Sequence, residues 1–253
     1  SWGLCCYDSA KDNFMTITSV GSMVSVVDIY EDMYNNLWIA TSNRGVFCYN
    51  TVGEEWKHFE HIREDLTTIT SNSVITLFED RKGTMWFGTN GGGLCSFSKE
   101  TETFVDFDPE NIWLPDKVIY SIEQDLAGNF WISCNSGLYQ FNPADKNKNC
   151  LFTINDGLQG NQFTAQSSLA SSTGKMYFGG VNGFNVFEPK EFTDNTYLPP
   201  VYVINISFPN LNNEREVRRL LRLDKPFYTV DKIKLPYENN SFTIRFAILS
   251  YED

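Results

Sequence analysis

Histidine is nearly missing from this chain: His58 and His61 are the only two among 253 residues. They stand three apart in or just after a strand-like run, which places them on opposite faces. That spacing suits a surface or rim position and argues against a shared metal site. The six cysteines, Cys5, Cys6, Cys48, Cys95, Cys134 and Cys150, contain no Cys-x-x-Cys pair, which excludes a zinc ribbon or a thioredoxin-like centre. They read as small buried apolar residues, with a disulfide left open by spacing alone. No Gly-x-Ser-x-Gly is present. Positive charge is scarce: 20 bases face 32 acids for a net charge of -12, so nucleic acid is excluded as a partner. No apolar run approaches the ~18 residues that a membrane helix needs, so membrane contact is expected only through segments outside this chain. Long stretches of helical period are lacking too. No signal peptide is visible. Its absence fixes no compartment, because the chain opens on "SWGLCCYD" without an initiator Met and reads as the interior of something longer.

What is abundant is aromatic and β-favouring. Phe, Trp and Tyr make up 15% of the residues, and the composition leans to β-structure. Four segments align: "EDMYNNLWIATSNRGVFCYN", "EDRKGTMWFGTNGGGLCSFS", "QDLAGNFWISCNSGLYQFN" and "SSTGKMYFGGVNGFNVFE". Their aromatic anchors, Trp38, Trp86, Trp131 and Tyr177, recur every 45 to 48 positions. Ahead of each stands a tight-turn signal, Asp-x-x-Gly or its variant, at Asp32, Asp80, Asp125 and Ser171. Asp bonds the turn backbone and Gly supplies positive φ. Behind each anchor comes a second glycine, Gly45, Gly93, Gly137 or Gly183, and then a short strand. The three glycines at 91–93 therefore fill a turn. A phosphate-binding loop would open a helix and carry Lys and Ser/Thr, whereas Leu94 and Cys95 follow here.

Four short strands per period of this length are the signature of a propeller blade. The second-strand Trp is expected to fill the wedge between neighbouring blades. Three complete blades are read at about 24–60, 72–107 and 117–154. An outer half-blade precedes them and an incomplete blade, about 165–188, follows. Either the first outer strand completes the last blade in a small four-bladed ring, or the strands belong to a larger one. In the second case the open blade faces are expected to be covered by another copy. Pro199 and Pro200 mark a boundary. The expected fold class is all-β, a partial propeller over 1–196 followed over 197–253 by a truncated sandwich. In that second part "VYVINISF", "KIKLPY" and "SFTIRFAILSY" read as strands, and "NEREVRRLLRL" as either a helical turn or an exposed strand pair.

The Asp-x-x-Gly-x-[Leu/Met/Phe]-Trp repeat resembles the propeller repeats of the periplasmic sensors of hybrid two-component systems. The segment "NDGLQGNQFTAQSSLASSTGKMYFGGVNGFNVFEP" is similar to the last blade of the second propeller in those receptors. "LPYENNSFTIRFAILSYED" is similar to the start of the Tyr-rich Ig-like domain that follows it. The resemblance implies a dimeric inner-membrane receptor of a Gram-negative gut bacterium. It would carry two seven-bladed propellers, an Ig-like domain, a membrane helix, and then histidine kinase, receiver and DNA-binding modules. The present chain corresponds to its periplasmic sensor region, without catalytic, metal or cofactor residues. The resemblance further implies an oligosaccharide ligand held with the help of the first propeller, which this chain lacks.

Recurring acidic pairs such as Glu31-Asp32 and Glu79-Asp80 follow the blade period, and their Asp members read as turn formers. A glycosidase would instead need two carboxylates facing one cleft. The candidate binding face combines the turns between second and third strands with the blade-connecting loops. Planar amides and a guanidinium suit hydroxyl and carboxylate groups, and an aromatic face suits a sugar ring. The candidate ligand-binding residues are Arg44, Asn90, Trp113, Asn135 and Asn182. The competing readings are a protein-interaction scaffold and, less favoured, a carbohydrate-active enzyme.

Overall fold

The computed structural model describes residues 3–21, 24–108, 114–142 and 149–192, and further along 201–209, 211, 214–221, 223, 225–227, 230, 232–235, 237 and 241–248. Two compact units divide at residues 192 and 193. The first holds 12 of the 20 bases and 24 of the 32 acids, and so the whole net charge of -12.

In the first unit β1 (Leu4–Asp8) and β2 (Asn13–Ile17) form an antiparallel hairpin. Three four-stranded meanders follow. The first is β3 (Val26–Glu31), β4 (Asn36–Thr41), β5 (Val46–Asn50) and β6 (Glu55–Phe59). The second is β7 (Val74–Glu79), β8 (Met85–Thr89), β9 (Leu94–Ser98) and β10 (Thr103–Asp106). The third is β11 (Ile119–Gln124), β12 (Phe130–Cys134), β13 (Gly137–Phe141) and β14 (Cys150–Phe152). A three-stranded sheet closes the series: β15 (Phe163–Ala170), β16 (Met176–Gly180) and β17 (Gly183–Phe187). The architecture is all-β, with blades stacked as in a propeller. Of the two closures left open by the sequence, completion of the last blade by the first outer strand is not found among the described residues. The hairpin β1–β2 is a sheet of its own. Leu169, Phe184 and Val186 on the last blade stay exposed.

Each complete blade is held by a bond that the repeat pattern did not announce. Asp32 Oδ1 accepts the amides of Tyr34 and Asn36, and its Oδ2 accepts the Trp38 indole N–H at 2.9 Å. Asp80 takes Lys82, Thr84 and the Trp86 indole at 3.1 Å. Asp125 takes Ala127, Asn129 and the Trp131 indole at 3.0 Å. One carboxylate thus closes the turn and fixes the indole six residues on, so a buried Trp keeps its N–H satisfied. In the last blade Ser171 bonds the Lys175 amide and Tyr177 stands in the anchor position.

The indoles do fill the wedges. Trp38 is buried against Phe59 of its own blade and Phe87 and Phe97 of the next. Trp131 packs on Phe152 and on Phe187 of the last blade. Burying an aromatic side chain of roughly 150–250 Å² at about 25 cal/mol per Å² gives a gross gain of about 4–6 kcal/mol per wedge. Of the Glu members of the acidic pairs, Glu79 links two blades. The Glu79 carboxylate accepts the Met33 amide of the preceding blade. At the next junction the Arg81 amide donates to Gln124 Oε1 and its guanidinium to the Leu126 carbonyl.

The Asp32 carboxyl feels burial, which raises its pKa. The bonds from Asn36, Trp38 and Tyr34 outweigh burial and hold it below its ordinary value of 3.8. A depressed folded-state pKa gives stability above the unfolded value that is lost as pH falls through the folded one. Asp32→Asn is therefore expected to flatten the loss of stability below about pH 4, relative to wild type, in urea melts at stepped pH. Parallel acid limbs in the two proteins would contradict this.

In the second unit β18 (Val201–Ser207) pairs antiparallel with β19 (Thr243–Ile248). The charged run is a helix, α1 (Glu214–Leu220). Val217 and Leu221, four apart on one face, enter a core with Ile206, Phe208 and Phe227. The expectation of a strand in "KIKLPY" is corrected. Its described residues, Lys232–Leu235 and Tyr237, are not in a strand, because β19 pairs with β18 and the run contains a proline, which cannot donate to a ladder.

Candidate functional site

In an up-and-down meander the turns between second and third strands share one end of the blades with the connectors. Arg44, Asn90, Asn135 and Asn182 lie in those turns, so the topology brings them to one end, and all four are exposed. Each has a local partner. Arg44 Nε donates to Glu60 Oε1 at 2.7 Å. Asn90 sits in a β-bridge with Val118 and its amide bonds the Ser73 carbonyl. Asn135 Oδ1 accepts the Tyr120 hydroxyl at 2.6 Å. Asn182 donates twice, its amide to Gln159 Oε1 and its Nδ2 to the Gln159 carbonyl. No hydrogen bond or ion pair joins any two of the four among the described residues. Trp113 lies outside the described residues.

Beside Arg44 a cavity of about 290 Å³ opens between the turn at 18–21 and the outer strands of the first complete blade, with Trp56 and His58 on its wall. His58 stacks flat on Phe47, 3.9 Å between centroids, and its Nε2 lies 2.8 Å from the Arg44 carbonyl. His61 Nδ1 lies 2.8 Å from the Ile69 carbonyl across the connector. His58 is thus held on strand β6 against β5, and His61 in the connector that follows.

The buried titratable groups serve packing. Burial raises the Cys48 thiol to about 12 and those of Cys95 and Cys134 to about 11, far from thiolate chemistry at neutral pH. Asp28 and Glu123 are raised chiefly by burial. Asp28 Oδ2 accepts the Leu77 amide of the next blade, and Glu123 Oε1 accepts the Ser168 hydroxyl of its own next blade. Gln166 was not singled out in the sequence. It adopts φ 56° within β15, and its Nε2 donates to the Val27 and Ile75 carbonyls on the first strands of two other blades. A non-glycine residue at positive φ inside a strand has no signature in residue type. Among the described residues no group of three His, Cys, Asp or Glu side chains is placed to hold a metal ion, and no helix is long and apolar enough to cross a membrane.

Residues 19–43 and 68–91 match the two component regulator propeller family. The two matches cover the first two strands of the first and second complete blades, where the Asp–Trp pairs sit. A protein named histidine kinase P4 from Formosa agariphila is 27% identical over 256 residues, spanning 97% of this chain and 18% of that protein. The extracellular domain of the one-component system BT4673 from B. thetaiotaomicron superposes with a TM-score of 0.50 at 18% identity, over 92% of this chain and 30% of that one. PorZ, a surface component of the type-IX secretion system of Porphyromonas gingivalis, superposes with a TM-score of 0.59 at 18% identity, over 75% of this chain and 29% of that one. The chain therefore spans less than a third of each of these three proteins. Its first unit is a set of propeller blades, two of which match the two component regulator propeller repeat, and the chain is homologous to a protein named as a histidine kinase.

Proposed function

We propose that the chain is the periplasmic ligand-sensing region of a hybrid two-component receptor of the inner membrane, and that the loop end of its blades contributes to recognition of an oligosaccharide. The supporting observation is the match of two successive blades to the regulator propeller repeat, alongside homology to a histidine kinase along nearly the whole chain. On this reading Arg44, Asn90, Asn135 and Asn182, with Trp113, face the ligand. The second compact unit is the start of an Ig-like domain that passes the signal toward the kinase of a dimeric receptor. Binding can shift such a receptor only through a difference in affinity between its two states. Calorimetric titration of the receptor's ectodomain with a panel of oligosaccharides tests the reading. One saturating ligand is expected, weakened at least tenfold by Arg44→Ala or Asn135→Ala; silence across the panel would overturn it.

A further inference from the structure

The turn that carries Arg44 recurs in the next blade with a different residue. Thr41 Oγ1 accepts the Arg44 amide at 2.9 Å, and Thr89 Oγ1 accepts the Gly92 amide at 3.1 Å. Each threonine hydroxyl also donates to the carbonyl of the glycine that follows, Gly45 or Gly93, at 2.8 Å. Arg44 and Gly92 thus hold one position in one kind of turn. A Cβ at Gly92 would lie 2.7 Å from the Thr70 backbone, in the connector of residues 60–73. At the first junction the connector is shorter, residues 18–25, and the arginine side chain is accommodated, 49% exposed. The cavity of about 290 Å³ opens there.

Its walls are anchored and its polar groups reach solvent. Val20 is buried with Val24, Ile39 and Phe47, and the Gly21 amide bonds the Thr18 carbonyl at 3.0 Å. The turn bearing the exposed Thr18 and Ser19 is thereby fixed. Trp56 is only partly buried, and Tyr49 braces it at 4.7 Å between centroids. Arg44 uses Nε for Glu60 Oε1. Its two terminal nitrogens have no hydrogen-bond partner among the described residues. His58 Nε2 faces the Arg44 carbonyl, so in the neutral ring Nε2 donates and Nδ1 is left as an acceptor.

We propose that this cavity is the subsite for one neutral sugar ring, a pyranose lying against Trp56 with its hydroxyls on Arg44, His58, Thr18 and Ser19. The inference rests on the oligosaccharide reading above and names where one unit of that ligand sits. A sugar hydroxyl both donates and accepts. The lining offers guanidinium donors, an imidazole acceptor and two hydroxyls that do either. The Trp56 ring offers an apolar surface to the C–H face of the sugar. Charge selects a neutral ring over a uronate or a sulfated one. Glu60 offsets Arg44, and Glu102 engages the Lys57 ammonium, so no uncompensated cation remains in the lining. The first unit carries the whole net charge of -12, which repels an anion. The volume sits at the lower edge of the roughly 300–1,000 Å³ of ligand sites, enough for one ring and not for the whole chain of a sugar.

The probes are the methyl glycosides of glucose, galactose and mannose, with methyl glucuronide as the charged control. Each is titrated into the protein while the indole N–H resonances are followed by NMR, the Trp56 signal being identified by its loss in Trp56→Phe. At least one neutral glycoside is expected to move that signal and to saturate at tens of millimolar, with the glucuronide at least tenfold weaker. Arg44→Gly, which installs the residue of the next blade, should weaken the glycoside at least tenfold at an unchanged melting temperature, while Asn182→Ala should leave it unchanged. If Arg44→Gly fails to fold, Ser19→Ala decides, with at least a threefold loss expected. A Trp56 signal that no glycoside moves would overturn the proposal. So would equal binding of the glucuronide, or undiminished binding by the folded variant. The oligosaccharide titration separates the two claims. An oligosaccharide weakened by Asn135→Ala that leaves the Trp56 signal in place would remove this subsite and keep the sensing role, whereas silence across the oligosaccharide panel would remove the sensing role itself.

Discussion

Trp131→Ala is expected to lower the unfolding free energy of the propeller unit by about 3–5 kcal/mol, the range for removing a large aromatic from a packed core. Trp131 is fully buried. Its ring carries the contacts of Phe152, Phe187 and Phe192 and so joins the third complete blade to the last. Collapse of the neighbours into the space is opposed by strand pairing on both sides, so much of the cavity term is retained. The substitution also removes the indole N–H from Asp125 Oδ2, although Asn129 Nδ2 still donates to that oxygen at 2.9 Å. Trp86 offers the internal comparison. It occupies the same register but is only half-buried, so Trp86→Ala should cost less, about 1–3 kcal/mol. Trp131→Phe should fall between, keeping a ring but losing the bond to Asp125. Urea melts read the effect as a lower midpoint at unchanged slope. Equal losses for Trp86→Ala and Trp131→Ala would show that wedge burial does not govern the stability of the stack.

The blades were legible because their constraints are local. A turn needs Asp and Gly at fixed offsets, a wedge needs an aromatic at a fixed distance from that turn, and both recur with the period. The strands of the three complete blades fall within the segments that the repeat marked out. The opening strand pair and the three strands that the last blade shows among the described residues were also readable, because "GLCCYDSAKDNFMTIT" matches only the third and fourth strands of a blade and the last copy carries no obvious fourth strand. The indole bond to Asp could have been found from the constant six-residue spacing of Asp32–Trp38, Asp80–Trp86 and Asp125–Trp131. What no spacing carried was contact between blades: the Glu79 carboxylate on the Met33 amide, and Gln166 bonded to two other first strands. Those depend on how far one sheet is rotated against the next. In the second unit periodicity was too short to choose for "NEREVRRLLRL", and the core containing Val217 and Leu221 settled it as helix. Arg44, Asn90, Asn135 and Asn182 share one end of the blades because chain direction alternates in a meander. Their partners, such as Glu60 for Arg44 and Tyr120 for Asn135, come from different strands and connectors.

The four post-anchor glycines predict unequal damage from one and the same substitution. A Cβ at Gly137, φ 139°, would run into the Phe152 carbonyl oxygen of the paired strand β14, and one at Gly45, φ 62°, into the Phe59 carbonyl oxygen of β6. Backbone oxygen cannot step aside as a side chain does, so the outer strand must move and its pairing with the third strand weakens. Gly183, φ 126°, has nothing within 4 Å of its Cβ position; among the described residues its sheet has three strands and none beyond β17. There only the strain of a side chain at positive φ remains, about 1–2 kcal/mol. Gly137→Ala should therefore cost about 3–5 kcal/mol, the strain plus the displaced strand, and Gly183→Ala no more than about 2 kcal/mol. Gly93→Ala should fall between, because its Cβ would press on the Leu114 and Lys117 side chains, which can yield. Hydrogen exchange on Gly137→Ala should speed up first at the amides of Cys150–Phe152, as the outer strand loosens before the rest of the blade. If Gly137→Ala and Gly183→Ala are equally mild, the fourth strand is not held against the glycine as its geometry requires, and close approach of the outer strand is not the reason for glycine at this turn.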